Sequence, residues 1–213
     1  MTPERTEKFR KVVANRQPDL TVVLENVHDP HNIGAVLRSC DAVGVQQIFV
    51  LYTEPQLAKD EIIIGKRTSS GARHWVDVHY YTDPEACFRH VRKICEQVFA
   101  THLGVESRSL HAIDFTRPTA LIFGNERDGV SEEVLKYTDG NFLIPQVGMV
   151  ESLNISVACA VSLYEAFRQR SDAGYYSGNR PLSPEQQEAL FQDYLRRHAS
   201  KGSGKNVVVK KKG

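Results

Sequence analysis

The sequence predicts an α/β domain built on a mostly parallel sheet with helices on both faces. Short apolar runs (Thr21–Leu24, Gln47–Tyr52, Gln97–Thr101, Thr119–Phe123) alternate with capped helical segments across residues 21–165. The runs are continuous rather than alternating, the pattern of strands covered on both sides. A chain of 213 residues, 41% hydrophobic and 25% charged, accommodates one such domain with extensions.

Taken in order, residues 4–16 read as a short basic helix that ends before Pro18. Strand Thr21–Leu24 feeds a polar loop, 25–32, and a helix from about Ile33 to Val43 that Gly44 ends. After the strand Gln47–Tyr52, residues 58–70 have weak helix character. Trp75–Tyr81 alternates as a strand, and Pro84–Glu96 reads as an amphipathic helix. Strands follow at 97–101 and 119–123, and Ser131-Glu132-Glu133 caps a short helix. Phe142–Ile144 is an apolar strand stopped by Pro145; a helix beginning near Ser152 is apolar nearly all round, so it is expected to be buried. Gly174, Gly178 and Pro181 break the chain before a last helix from Ser183-Pro184-Glu185 to about His198.

No run of 18 apolar residues is present, so no membrane span is expected, and the N-terminal stretch lacks the apolar centre of a signal peptide. Cys40, Cys87, Cys95 and Cys159 have no C-x-x-C spacing and read as reduced, packed thiols of a cytoplasmic protein. Charge is uneven. Residues 1–18 carry five Lys/Arg against two acids, 201–213 carry five Lys, and 19–164 carry twelve basic against nineteen acidic residues. The flanks therefore suit a polyanion that the core alone repels, although a Lys-rich tail also serves solubility.

Ligands of parallel sheets bind at the carboxyl ends of the strands, which directs attention to loops 25–32, 101–104, 124–130 and 145–152. These contain no G-x-G-x-x-G, P-loop or G-x-S-x-G motif. His28 and His31 flank Asp29 without a third ligand at a suggestive spacing, so no metal is expected. What stands out is Asn32 and Arg38 on the first helix of the domain, Glu126 in a strand-end loop, and Ser152 and Asn154 at the start of the apolar helix. Arg38 sits among Ala35, Val36, Leu37 and Cys40 and reads either as a structural ion-pair partner of Asp41 or Glu126, or as a phosphate clamp.

Three blocks then resemble a family. Asn26-Val27-His28-Asp29-Pro30-His31-Asn32-Ile33-Gly34-Ala35-Val36-Leu37-Arg38-Ser39-Cys40, Leu121 to Val130 (LIFGNERDGV), and Ile144-Pro145-Gln146 with Ser152 to Ala158 (SLNISVA) are similar to the SpoU-type branch of the SPOUT methyltransferases, RNA ribose 2′-O-methyltransferases. The resemblance implies a C-terminal trefoil knot and S-adenosylmethionine held among loops 101–104, 124–126 and 144–153. Thr101, Leu103, Gly124, Asn125, Ile144, Met149 and Leu153 would line the cofactor pocket. It implies catalysis by Arg38, Asn32, Glu126, Ser152 and Asn154, with Arg38 as base or, on pKa grounds, as stabiliser of the developing oxyanion. It also implies a homodimer paired through the 152–167 helix. The chain then divides into a basic helical extension (1–18), the methyltransferase domain (19–170) and a C-terminal extension with a helix and a Lys-rich tail (171–213). These flanks are similar to those of the branch acting on tRNA guanosine 18, with Lys8, Arg16, Arg168, Arg170 and Arg180 expected on tRNA. A methyltransferase for ribosomal RNA and a non-catalytic RNA-binding protein of the same fold are the alternatives. The family pattern assigns nothing to Lys205–Lys212.

Overall fold

The apolar runs fold as strands, in chain order β1 (Leu20–Glu25), β2 (Gln47–Leu51), β3 (Glu61–Ile64), β4 (Asp77–Tyr81), β5 (Gln97–Thr101), β6 (Arg108–Ser109), β7 (Thr119–Phe123), β8 (Gly140–Leu143) and β9 (Val207–Lys212). The computed structural model describes residues 1–65, 69–102, 107–125, 127–179, 181–200 and 207–212. One sheet results, ordered β3-β9-β4-β2-β1-β7-β5-β8-β6. Every neighbouring pair is parallel except β3–β9. Each residue of β1 and β7 is buried, including the polar Thr21, Glu25 and Thr119 among their apolar residues.

The described helices are α1 (Pro3–Ala14), α2 (Pro30–Ala42), α3 (Pro84–Val91), α4 (Glu132–Leu135), α5 (Ile155–Asp172) and α6 (Pro184–Ala199). They cover both faces of the sheet. Val36, Leu37 and Cys40 of α2 and Cys159 and Leu163 of α5 join Leu24, Val50 and Tyr80 in one core. Cys87, Phe88 and Val91 of α3 and Val134 of α4 join Val23, Phe49 and Tyr81 in the other. A third, smaller cluster packs α1 on α6 through Phe9, Val13, Phe191 and Tyr194. All four cysteines are free and buried. No described helix is long and apolar enough to cross a membrane.

Local chemistry sets the boundaries. Asp29 caps α2 by accepting from the His31 N–H at 2.8 Å, and Pro30 opens the helix, so α2 starts three residues before the expected Ile33. Gly44 at φ +86° ends the turn after α2, where a Cβ would lie 2.3 Å from the Asn15 carbonyl oxygen. α3 stops at Val91, short of the expected Glu96, and Arg92 bonds the Glu96 carbonyl and Asp139 instead. α5 starts at Ile155, not near Ser152, because Asn154 is its cap, accepting from the Ser156 N–H at 2.9 Å. The segment expected to be weakly helical, 58–70, contains β3, whose antiparallel partner β9 lies far along the chain. The lysine tail therefore completes the sheet.

Candidate active site

The carboxyl ends of β5, β7 and β8 meet the N-terminus of α5 around a cavity of about 360 Å³, a size suited to a small-molecule cofactor. Its walls include Thr101, Phe123, Gly124, Asn125, Ile144, Ser152, Leu153 and Ile155. Gly124 is required by close approach: a Cβ there would lie 1.9 Å from the Gly129 carbonyl oxygen. The loop that returns at Gly129 is wound by Asn125, whose side-chain oxygen accepts from the N–H groups of Arg127 at 2.9 Å and Asp128 at 2.7 Å. Glu25, buried at the end of β1, fixes the next residues by accepting from the Ser131 N–H at 3.0 Å and its hydroxyl at 2.5 Å. Burial raises the pKa of this carboxyl, and the Ser131 bonds oppose that rise.

Beside the cavity, Asn154 donates from Nδ2 to Asn32 Oδ1 at 3.3 Å, tying the start of α5 to the start of α2. Its own Oδ1 is occupied by the Ser156 N–H and hydroxyl. Asn32 is 9% exposed, so this amide pair is a fixed element at the cavity margin. Arg38 lies six residues further along α2, about 9 Å along the axis and turned well around it. Its side chain is exposed and is not among the residues lining this cavity.

Of the expected cofactor residues, Thr101, Gly124, Asn125, Ile144 and Leu153 line the cavity; Met149 does not, standing 99% exposed on the 145–151 loop. Leu103, Glu126 and Arg180 lie outside the described residues. Of the residues this reading missed, His102, Gln146 and Glu151 fall in the loops the strand ends had marked, and Ala158 lies in the first turn of α5; their side-chain directions were absent from the sequence.

Two of the arginines expected on RNA are fully buried instead. Arg16 bonds Asp41 at 2.6 Å, the Tyr194 hydroxyl at 2.7 Å, and the carbonyls of Val45 and Trp75. Arg170 bonds Asp19 at 2.6 Å, Gln17 Oε1 at 3.0 Å and the Phe115 carbonyl at 2.8 Å. Both guanidinium groups serve the fold, and neither is placed to meet a ligand. Arg168 is exposed but bridges Glu165 at 2.8 Å and Asp172 at 3.0 Å, and Lys8 is exposed on α1.

A family model described as the SpoU rRNA methylase family matches residues 19–164. The chain belongs to this family. This SpoU methylase is 43% identical over 196 residues, 92% of its length and 98% of the relative's, to the tRNA (guanosine(18)-2′-O)-methyltransferase of Thermus thermophilus. It is similar to the crystal structure of the A. aeolicus TrmH/SpoU tRNA modifying enzyme, with a TM-score of 0.81 at 36% identity, covering 93% of this chain and 98% of that one. An AdoMet-bound rRNA methyltransferase from Sinorhizobium meliloti matches with a TM-score of 0.60 at 29% identity, over 75% of this chain and 59% of that one.

Proposed function

We propose that this SpoU methylase transfers a methyl group from S-adenosylmethionine to the ribose 2′-hydroxyl of guanosine 18 in tRNA. The observation that carries the reading is the cavity at the ends of β5, β7 and β8, closed by Gly124 and edged by the Asn154–Asn32 pair. It occurs in a chain that spans 98% of a guanosine-18 enzyme but only 59% of the ribosomal-RNA methyltransferase. The cofactor fits the residues present: Ile144 and Leu153 offer apolar faces to a purine, and backbone groups of Gly124, Asn125 and Arg127–Gly129 offer polar edges. When bound, S-adenosylmethionine supplies an electrophilic methyl group.

The protein's own part is to orient the hydroxyl and to manage its proton. Asn32 and Asn154 hold the two helix starts in register, Ser152 stands at the cavity wall, and Glu126 takes its position from the family pattern. Arg38 answers the negative charge that develops on the ribose oxygen with the donor fork of its cationic guanidinium. Its exposed position, away from the cavity lining of its own chain, supports a site shared with a second protomer. Val157, Val161 and Tyr164 form a stripe on α5 that is 46%, 40% and 55% exposed, where the apolar sequence led to the expectation of a buried helix. A homodimer paired along this stripe covers it and brings Arg38 of one copy toward the cavity of the other. We also infer that the chain is threaded as a trefoil knot around residues 124–165; the strand order, with β7 between β1 and β5 and β8 beyond β5, is compatible with it. The deciding test is tritiated-methyl transfer to unmodified tRNA, followed by mapping of the 2′-O-methyl position. Modification at guanosine 18 is expected; label entering only ribosomal RNA, or none, overturns the reading.

A further inference from the structure

β9 enters the sheet between β3 and β4. It is antiparallel to β3, with Glu61 opposite Lys210, and parallel to β4, with Tyr80 level with Lys211 and Tyr81 with Lys212. The Lys211 N–H donates to the Asp60 carbonyl at 2.9 Å. Val209 packs against the core beneath α2 and α5. The lysines that follow are therefore held by a backbone ladder and an apolar anchor, where a free tail would leave them mobile.

Direction decides where they emerge. β4 is parallel to β2, and the same sense runs through β1, β7, β5 and β8, so β9 delivers Lys210–Lys212 to the carboxyl edge, the edge on which the cavity opens and α2 begins. β9 and β7 are four strands apart in the sheet, about 19 Å at the usual spacing. Strand pleat places Lys211 on the face of its level partner Tyr80, the face covered by α2, and Lys210 and Lys212 on the other. Lys212 Nζ donates to His79 Nδ1 at 2.7 Å, and His79 Nε2 in turn lies 2.8 Å from Gln47 Oε1. Burial, then Lys212 and His90, hold the His79 pKa down at about 4, so the imidazole is a neutral acceptor that orients the ammonium without cancelling its charge. Glu61 stands level with Lys210 and Asp60 beside Lys211, so the three ammonium groups outnumber these two neighbouring carboxylates. They stand on a domain whose residues 19–164 carry twelve basic and nineteen acidic side chains, which by itself repels RNA.

We propose that Lys210, Lys211 and Lys212 on β9 form a phosphate-binding strip that holds the backbone of the RNA substrate at the carboxyl edge of the sheet. The proposal rests on the RNA reading above. The test compares the intact chain with Lys211→Gln and with the triple Lys→Gln and Lys→Arg variants, reading KM for unmodified tRNA across a salt series, kcat at saturating tRNA, S-adenosylmethionine Kd and melting temperature. Each lysine lost is expected to flatten the plot of log kcat/KM against log salt by about 0.7–0.9. KM should rise severalfold, with kcat and cofactor Kd unchanged and the arginine variant restored. An unchanged slope in a stably folded glutamine variant overturns the proposal, as does equal loss in the arginine variant, which would make the strand's role purely structural. An intact chain that methylates no RNA instead overturns the function assigned above.

Discussion

Replacing Arg170 with alanine removes a guanidinium that is fully buried between α5 and the start of β1. Five acceptors lose a hydrogen bond: the Asp19 carboxylate at 2.6 Å, Gln17 Oε1 at 3.0 Å, the Phe115 carbonyl at 2.8 Å, and the carbonyls of Arg117 at 3.3 Å and Asp19 at 3.5 Å, the last two keeping Thr119 as a donor. The Asp19 side chain is only 24% exposed, so water replaces the ion pair poorly. Breaking a buried pair from one side costs about 3–5 kcal/mol, and a domain of this size loses about 2–4 °C per kcal/mol. The melting temperature of Arg170→Ala is therefore expected to fall by about 6–20 °C. Asp19→Asn in the same background should recover part of that loss, because it removes the stranded charge. Well below the transition, KM for tRNA should match that of the intact protein. A variant that melts within about 2 °C of the parent but shows a raised KM would refute this account and return Arg170 to the RNA.

Arg38→Ala is expected to lower methyl transfer by about 10²–10³-fold, the range for loss of an oxyanion partner, with S-adenosylmethionine affinity unchanged by calorimetry; retained turnover would remove Arg38 from the mechanism. Gly124→Ala must displace the Gly129 carbonyl, which lies 1.9 Å from the added Cβ. The distorted wall should cost on the order of 100-fold in kcat/KM, and an unaffected variant would show that the loop yields freely. Arg168, with Gln169 and His111, holds the Glu165 carboxyl down at about 2 from an ordinary 4.5. A depressed pKa stabilises above the unfolded value, so this contribution is complete above about pH 4.5 and is lost as pH falls toward 2. Its ceiling of about 3 kcal/mol shrinks to about 1 kcal/mol because Arg168 is 60% exposed. Glu165→Gln should accordingly flatten the acid limb of stability measured by denaturant titration between pH 5 and 2.5, and an unchanged limb would place that acid sensitivity elsewhere.

What the sequence disclosed and what it withheld divide along a physical line. β1, β2, β5 and β7 were legible because burial on both faces demands apolar runs, and α6 was legible because Ser183-Pro184-Glu185 is a helix start local in sequence, which the Ser183–Gln186 cap completes in the structure. The cavity was legible through its loops, since strand ends fix where a parallel sheet can bind. β3 was not, because Glu61-Ile62-Ile63-Ile64 has no partner until Val207–Lys210 returns to it; a lone strand carries no sign of a neighbour so distant. Arg16 and Arg170 were misread for the same reason. Their charge is visible in the sequence, but the acceptors that surround them come from several other segments: Asp41, Val45, Trp75 and Tyr194 for the first, and Gln17, Asp19 and Phe115 for the second. The exposed stripe of α5 is the converse case. Val157, Val161 and Tyr164 look like core in the sequence and stand open in the single chain. If the sequence pattern is right about burial, the cover is another copy, and Val161→Glu should leave the monomer folded while abolishing both dimer, by sedimentation, and methyl transfer. Methyl transfer by a monomeric Val161→Glu protein would show that Arg38 reaches its own cavity and that the site is complete within one chain.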